Sequence, residues 1–275
     1  MRICFKLAVL LWVILAVGCS VPPALIPDSA DSAPLRRLNP KDIKDAVPRL
    51  EAKSRYGNPA NYKVRGKRYY VLSKSSGYRE KGVASWYGTK FHGRRTSSGE
   101  PYDMYAMTAA HKSLPLPTYV QVNNLRNGRS IVVRVNDRGP FHNNRIIDLS
   151  YAAATKLGIL GKGTGLVEVV ALDPHKAPTT IQAVRPENPA PLPPSKSTPD
   201  MFIQVGAFSN RTNANRLRQQ LQHKLERPVR VYQSQSRGQD IFRVQVGPLT
   251  DIGQSDAVTR KLARLGVDDL HIIVE

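Results

Sequence analysis

The chain has 275 residues, with 41 lysines and arginines against 21 aspartates and glutamates, and a formal net charge of +20. This length suffices for two small domains. Its two cysteines, Cys4 and Cys19, both lie near the N-terminus, so the rest of the chain has no thiol for a disulfide, a zinc site or a nucleophile. The charge predicts an anionic partner, and for a cytoplasmic protein nucleic acid would come first.

The first residues predict export. Arg2 and Lys6 precede an apolar run over 7–17, which ends at Gly18-Cys19-Ser20. A basic start, a short apolar run and a small-residue cleavage site are typical of a signal peptide rather than of a membrane span. The segment before Cys19 resembles the cleavage motif of bacterial lipoproteins, although Leu15 lies one position further from the cysteine than usual.

Export determines the expected location and partner. We predict a signal peptide over 1–18 and lipidation at Cys19, which anchors the protein to a membrane. Because Ser20 rather than Asp follows the cysteine, this motif implies the periplasmic face of the outer membrane. Export argues against nucleic acid, so peptidoglycan with its peptide carboxylates and anionic lipid headgroups are the polyanions within reach. An ordinary secreted protein with an incidental cysteine is the alternative.

Composition divides the mature chain into two domains and two tethers. Scattered prolines predict an extended tether over 19–79, in which residues 62–71 are expected to form a short strand or to pack on the next domain. A second proline-dense segment predicts a linker over 174–199. Between and after these tethers we expect a mainly β domain over 80–173 and a small α+β domain over 200–275.

Short strands dominate the first domain. One helix is predicted from Tyr151 to Leu157, between Ser150 as N-cap and Gly158 as the stop. Many short strands with little helix favour a barrel over a sandwich. The predicted strands are Gly82–Tyr87, Thr118–Asn123, Ser130–Val135 and Leu166–Leu172.

The segment after the third strand carries the candidate chemistry. Gly139-Pro140 must end the strand, so Asp137 and Arg138 lie where side chains reach open space. A carboxylate and a guanidinium at a strand end suit acid catalysis or sugar recognition. Taken alone, Asp137 also fits a turn residue that caps its own loop.

Four segments of this domain resemble the barrel domain of the rare lipoprotein A family, whose members are peptidoglycan lytic transglycosylases. These segments are Ala84–Gly88, Thr108–His111, Asn136–His142 and Arg145–Ser150. The resemblance implies a double-psi β-barrel, and it links Glu100, His111 and Asp137 to activity. The same fold also occurs in non-lytic wall-binding proteins such as expansins.

Cleavage of the glycosidic bond in peptidoglycan requires an acid that still holds its proton near neutral pH, and this requires burial or a neighbouring like charge. We expect Asp137 to act as the acid and then as the base, with Glu100 orienting the sugar or tuning the pKa of Asp137. His111 is expected to hydrogen-bond to this pair. Arg138 is expected to hold a carboxylate or an acetamido group of the glycan.

Two aromatic residues and two histidines complete the set of candidates. Trp86 and Tyr87 can stack on sugar rings, but on a strand one of them must point into the core, and the sequence leaves open which one. His92 and His142 lack a supporting cluster of carboxylates, so we expect no metal and no cofactor.

The second domain predicts the order βαββαβ, which gives a four-stranded antiparallel sheet with both helices on one face. Gln204–Phe208 and Arg243–Pro248 resemble the SPOR domain, a module that binds peptide-stripped glycan at the division septum. Amides, guanidinium groups and an aromatic ring suit a sugar chain. Alternation along the strands places such a set on the uncovered face: Gln204, Arg230, Tyr232, Arg243 and Gln245.

The sequence therefore predicts an outer-membrane lipoprotein that cuts peptidoglycan to 1,6-anhydro-muramic acid ends during daughter-cell separation. A non-enzymatic septal protein whose barrel only grips glycan is the first alternative. A hydrolase that uses Glu100 and Asp137 with water is the second.

Overall fold

The structure, a computed structural model, describes residues 31–142, 144–174, 200–236, 238–267 and 270–275. The predicted signal peptide, the predicted lipidation site Cys19 and the proline-rich segment 175–199 lie outside these residues. Among the helices of the described residues, none has both the length and the apolar character needed to cross a membrane.

The segment before the barrel is extended, as the prolines predict, but it lies along the barrel surface. We call residues 31–58 the strap. The backbone N–H of Ala46 donates to the carbonyl of Val132 (3.1 Å), and that of Ser54 donates to the carbonyl of Leu116 (2.9 Å). The strap therefore adds to the structure of the first domain rather than serving as a free tether.

A short hairpin follows the strap. Its strands are β1 (Asn61–Val64) and β2 (Lys67–Tyr70), paired antiparallel through a turn at Arg65-Gly66. Both turn residues have positive φ angles, of 48° and 81°, which explains the glycine at the second position. Residues 62–71, predicted as one short strand or a packed segment, thus form most of a two-stranded hairpin.

Six strands form a closed barrel in the order β3-β7-β4-β6-β5-β8. The pairs β3–β7 and β4–β6 are parallel, and the remaining neighbours are antiparallel. Strand prediction from the sequence missed β4, whose four residues are too few for a periodic signal, and also missed β7. The strands are β3 (Arg79–Tyr87), β4 (Thr108–His111), β5 (Thr118–Asn124), β6 (Ser130–Asp137), β7 (Arg145–Ser150) and β8 (Gly165–Ala171).

Apolar side chains fill the barrel interior. The predicted helix α1 (Tyr151–Leu157) closes one side, with the Ser150 hydroxyl accepting from the N–H of Ala153 and with Gly158 in the left-handed region at its end. Each fully buried aliphatic side chain contributes about 1.5–3 kcal/mol by leaving water. Completely buried interior residues include Val120, Val122, Val133, Val135, Ile147, Leu149, Leu157, Val167 and Val169.

The second domain has the predicted βαββαβ order. Its four strands form one antiparallel sheet in the order β10-β11-β9-β12. Asn210 caps the first helix and Asp251 caps the second. The elements are β9 (Met201–Phe208), α2 (Arg211–Gln222), β10 (Val229–Ser236), β11 (Gln239–Leu249), α3 (Ile252–Arg264) and β12 (His271–Val274).

Candidate functional site

Two carboxyl groups flank one alanine on the outward face of the barrel. Ala110 of β4 is paired with Asp137 on one side and with Asp148 on the other. Residues paired directly across strands share a face, so the two carboxyls lie on the same side as Ala110. Two strand spacings separate their Cα atoms by roughly 10 Å. Ser85 of β3 is paired with Asp148 and continues this row.

A β-bulge gives Asp137 this orientation. In the β4–β6 ladder Ala109 is paired with Val135, but the next pair joins Ala110 to Asp137, so Asn136 is the extra residue. Val135 points into the barrel core, and regular alternation would send Asp137 to the same side. The inserted residue reverses that phase and turns the carboxylate outward.

Three donors contact the Asp137 carboxylate, two of them from Ser97 in the loop at 96–100. The backbone N–H of Ser97 donates to Oδ1 (2.8 Å), the Ser97 hydroxyl donates to the same oxygen (2.6 Å), and so does the N–H of Arg138 (2.7 Å). Among the described residues, all hydrogen bonds to this carboxylate reach Oδ1. The other oxygen, Oδ2, is therefore the one that can meet a ligand.

Asp148 is a candidate residue that sequence reasoning missed. It accepts a short hydrogen bond from the Ser85 hydroxyl, which in turn accepts from the Arg145 guanidinium (3.1 Å). Burial raises the pKa of Asp148 above its usual value, although part of the residue remains exposed. The family resemblance of the Arg145–Ser150 segment, which contains Asp148, was a signal for this residue. The sequence does not show, however, that β7 places Asp148 beside Ala110.

Glu100 belongs to a separate network on the same loop. Arg134 of β6 donates to both oxygens of Glu100 (2.8 and 2.9 Å), and the Asn136 amide donates to Oε2 (3.0 Å). The hydrogen bonds from Arg134 lower the pKa of Glu100, so it is a carboxylate near neutral pH. It holds the loop against β6, and among the described residues it shares no hydrogen-bond partner with Asp137.

Arg134 holds a second carboxylate that comes from the strap. It donates to both oxygens of Glu51 (3.0 and 2.7 Å), and the Tyr119 hydroxyl adds a bond of 2.5 Å. The hydrogen bond from Arg134 is the main cause that lowers the pKa of Glu51 to about 2. The strap is therefore joined through one guanidinium to the loop that carries Glu100.

The structure contradicts the role predicted for His111. Its ring faces away from Asp137 because neighbouring residues on β4 alternate in direction and Ala110 takes the outward face. Nδ1 accepts from the N–H groups of Ser113 (3.2 Å) and Leu114 (3.1 Å), so Nε2 carries the proton and donates to the Tyr78 hydroxyl (2.8 Å). Burial lowers the pKa of His111 to about 3. It is a neutral structural residue.

The structure also contradicts the role predicted for Arg138. Its guanidinium donates to the carbonyls of Gly57 (2.8 Å), His111 (3.1 Å) and Leu114 (2.5 Å). A fourth donor reaches the side chain of Asn58 (3.2 Å). Four of its five N–H groups are thus occupied, two by the strap and two by barrel-domain carbonyls, and this leaves little of the guanidinium for a glycan.

Alternation decides between Trp86 and Tyr87. Trp86 turns toward the core and is half-buried, with its ring edge against Tyr151 at 6.2 Å. Tyr87 shares the outward face with Ser85, but Tyr102 stacks on its ring at 4.1 Å and buries it. The Tyr87 ring is therefore closed to a sugar, and Trp86 keeps only a partly exposed edge. No group of three or more His, Cys, Asp or Glu side chains within the described ranges is arranged to hold a metal ion.

The second domain presents the predicted polar set on the sheet face opposite its helices. Arg243 donates to the Gln204 amide oxygen (3.1 Å), and Arg230 donates to that of Gln245 (2.8 Å) while lying 3.5 Å from the Phe202 ring centroid. Tyr232 is 47% exposed beside them. The paired amides are mostly buried, so the guanidinium groups and the tyrosine are the accessible part of this surface.

Comparison with known families gives the class of protein. Residues 79–169 match a family model described as "Lytic transglycolase", and residues 197–272 match the SPOR domain. Together with the closed six-stranded barrel and the four-stranded sheet, these matches define a two-domain protein with a double-psi β-barrel followed by a SPOR domain.

Full-length relatives narrow the class to one family. A Vibrio cholerae protein named endolytic peptidoglycan transglycosylase RlpA is 41% identical over 265 residues, covering 96% of this chain and 94% of the relative. A Pseudomonas aeruginosa protein of the same name is 39% identical, covering 92% and 86%. The chain belongs to the RlpA family. A solved structure, the RlpA SPOR domain from Pseudomonas aeruginosa, is 22% identical with a TM-score of 0.26, covering 26% of this chain and 96% of that one.

Proposed function

We propose that the protein is an endolytic peptidoglycan transglycosylase, which breaks the β-1,4 bond between N-acetylmuramic acid and N-acetylglucosamine and leaves 1,6-anhydro-muramic acid ends. Relatives of that name, about 40% identical over most of the chain, support this proposal. The observation that carries it is the pair of carboxyls, Asp137 and Asp148, on either side of Ala110.

The two carboxyls suit two different proton transfers. Asp148, whose pKa burial raises, can keep the proton that the glycosidic oxygen needs as the bond to C1 breaks. The C6 hydroxyl oxygen of the same muramic residue then attacks C1, and Asp137 accepts the hydroxyl proton through Oδ2. After the product leaves, Asp137 releases this proton to solvent and Asp148 takes one up from solvent, which restores both carboxyls. From the sequence alone we expected Asp137 to carry out both proton transfers. The buried environment of Asp148 supports giving the first transfer to Asp148 and the second to Asp137.

Glu100 fits a positioning role. Its carboxylate is occupied by Arg134 and Asn136, and its lowered pKa leaves no proton to donate near neutral pH. This occupation argues against the alternative in which Glu100 and Asp137 activate water in a hydrolase. Holding Ser97 beside Asp137 is the contribution that its contacts support.

The SPOR sheet is proposed to bind glycan strands stripped of peptide, as at the division septum. Arg230, Arg243 and Tyr232 form the accessible surface. Arg243→Ala is expected to weaken binding to amidase-stripped sacculi in a pull-down assay. Arg260→Ala, which removes an exposed arginine of α3, is the matched control and should bind normally.

Anchoring is the remaining part of the proposal. Lipidation at Cys19 and retention at the periplasmic face of the outer membrane are supported by the motif around Gly18-Cys19-Ser20. Palmitate labelling of the wild-type chain and of Cys19→Ser tests them, and only the wild type should incorporate the label and fractionate with the outer membrane.

Mass spectrometry of released fragments tests the activity. The soluble chain that lacks residues 1–19 is incubated with intact and with amidase-stripped sacculi. Fragments ending in 1,6-anhydro-muramic acid are expected, and more from stripped than from intact material. Reducing ends would mean hydrolysis, whereas binding without release would leave a non-catalytic wall-binding protein.

Two variants separate the proton-transfer roles. Asp137→Asn and Asp148→Asn should each lower the rate at least a hundredfold while the folded structure is retained. Asp103→Asn removes an exposed carboxylate of the same domain and should leave the rate unchanged. Full activity of Asp148→Asn together with an inactive Asp137→Asn would return both steps to Asp137.

A further inference from the structure

Cations are concentrated in one part of this basic chain. Between Glu51 and Glu80, residues 52–79 contain eight lysines and arginines and no aspartate or glutamate. Four of the eight, Lys63, Arg65, Lys67 and Arg68, lie within six residues of the β1–β2 hairpin. Such a block without compensating acids indicates an anionic ligand rather than a merely soluble surface.

Aromatic packing attaches the hairpin to the segment that follows Asp137. The rings of Tyr62 and Tyr69, which are paired across the hairpin, stack at 5.3 Å. Both meet the edge of Phe141, at 6.2 and 5.5 Å. The Tyr62 hydroxyl donates to the carbonyl of Lys112 (2.7 Å), and burial raises the pKa of Tyr62 to about 12. The hairpin is therefore held in one orientation on the barrel.

This position is next to the candidate site. The Arg138 guanidinium lies 5.9 Å from the Tyr62 ring centroid, and the N–H of Arg138 donates to Asp137. Phe141 follows Asp137 by four residues on the same loop. The hairpin is therefore within reach of a glycan that extends from Asp137 along the side of Phe141.

Strand alternation turns the cations away from the aromatic cluster and toward solvent. Tyr62 and Tyr69 occupy the packed face, so Lys63 and Arg68, their neighbours in sequence and a cross-strand pair themselves, lie on the other. Both are exposed, as is Arg65 at the turn, and Tyr70 beside them is 67% exposed. In the part of the chain that the structure describes, none of the three cations is paired with a carboxylate.

We propose that the hairpin is a second glycan-binding element that recognises carboxylates along the strand, namely the lactyl carboxylates of peptide-stripped muramic acid. This inference rests on the proposed function. An amidase that removes the stem peptide turns the lactyl amide into a free carboxylate, once per disaccharide. Stripped glycan is thus a regular polyanion with exposed sugar rings, which matches a row of cations beside an exposed tyrosine.

Intact peptidoglycan offers carboxylates from a second source, the stem peptides. The charge chemistry is the same, but the positions differ, because peptide carboxylates lie away from the sugar backbone on flexible chains. The hairpin packs on the loop that follows Asp137, close to where the sugar backbone must lie to be cut, and this favours the lactyl groups.

Turnover kinetics of a triple variant provide the first test. Lys63→Gln, Arg65→Gln and Arg68→Gln together should raise KM for stripped glycan roughly tenfold, because each exposed ion pair contributes a few-fold, and should leave kcat within twofold. Arg37→Gln, Lys41→Gln and Lys44→Gln together remove the same charge from exposed positions of the strap and form the control, which should keep the wild-type KM. An unchanged KM in the hairpin variant would overturn the proposal.

Two further substrates identify the source of the carboxylates. Stripped glycan whose lactyl groups have been converted to methylamides should raise the wild-type KM to that of the hairpin variant, with no further change in the variant. A variant effect confined to intact sacculi would instead assign the hairpin to stem peptides and contradict the lactyl assignment.

Zero-length cross-linking tests the contact without any turnover. A carbodiimide joins a lysine amine to a carboxylate that it touches. Incubated with stripped glycan, the chain is expected to give muramyl amides at Lys63 and none at Lys41 or Lys44. Cross-links at Lys63 without released fragments would support the hairpin site while rejecting the enzyme. Released fragments with no cross-link and no KM effect would reject the hairpin alone.

Discussion

Replacing Glu51 by glutamine tests whether the strap is part of the barrel domain. The substitution keeps the size of the side chain but removes the charge that pairs with Arg134. A fall in the Glu51 pKa from 4.5 to about 2 corresponds to at most about 3.4 kcal/mol of folding free energy. The pair is partly solvated, with side-chain exposures of 16% and 19%, and Arg134 keeps Glu100, so we expect a loss of about 1–2 kcal/mol.

The pH dependence of this loss has a definite sign. Because the folded-state pKa of Glu51 is depressed, its contribution is fully present above pH 4.5 and disappears as pH falls through about 2. The wild type should therefore exceed Glu51→Gln in stability by a constant amount above about pH 5. At pH 3 less than about half of that difference should remain.

Thermal unfolding followed by tryptophan fluorescence measures the effect in the barrel alone. The chain contains two tryptophans, and removing residues 1–19 leaves only Trp86, which lies in β3. A loss of this size lowers Tm by roughly 3–6 °C at pH 7. Asp42→Asn, which removes an exposed carboxylate from the same strap, is the control and should not change Tm. An equal Tm deficit at pH 3 and pH 7 would refute the ion pair as the cause, and no deficit at all would refute the docked strap.

Three further predictions concern the barrel. Burial lowers the pKa of His111 to about 3, so below pH 6.5 the unfolded chain binds a proton at this residue and the folded chain does not. The free energy of unfolding should therefore fall from pH 6.5 toward pH 3 by up to about 1.4 kcal/mol per pH unit. Denaturant titrations of His111→Gln should lack this slope. A Cβ on Gly88 would lie 2.2 Å from the Ser32 carbonyl oxygen, so Gly88→Ala should displace the start of the strap and speed trypsin cleavage at Arg37, with unchanged cleavage contradicting the docked position. Ser97→Ala removes the hydroxyl donor to Asp137 and should lower kcat at least tenfold with Tm intact; a normal kcat would exclude this hydrogen bond from the mechanism.

Much of the second domain could be predicted because its signals are local. Met201–Phe208 alternates regularly, Asn210 caps the helix that follows, and the polar residues of β9 and β11 share the face opposite the helices. In a sheet covered by helices on one side, the period of two along a strand fixes which side chains face the helices, although Gln204 and Gln245 on the other face are buried as well. Residue order alone therefore identified the face that carries Arg243.

Less of the barrel could be predicted from the sequence, because its strands combine parallel and antiparallel neighbours. β4 has only four residues, too few for a periodic signal, and β7 is paired with partners that are distant in sequence. The family resemblance nevertheless predicted roles for Asp137, Glu100 and His111. The hydrogen bonds then separated them, because Glu100 contacts Arg134, and His111 faces the opposite side of its strand.

The amino-acid sequence by itself determined the two domains, the strand that must end at Gly139-Pro140 and the concentration of cations in residues 52–79. Those features follow from composition and from dihedral restrictions, which act between near neighbours. Only the tertiary structure decided that a one-residue bulge turns Asp137 toward Asp148 across Ala110, and that Glu51 shares Arg134 with Glu100. Both features depend on strand register and on the packing of segments that lie tens of residues apart in the chain. The local pattern of side chains does not determine either of them.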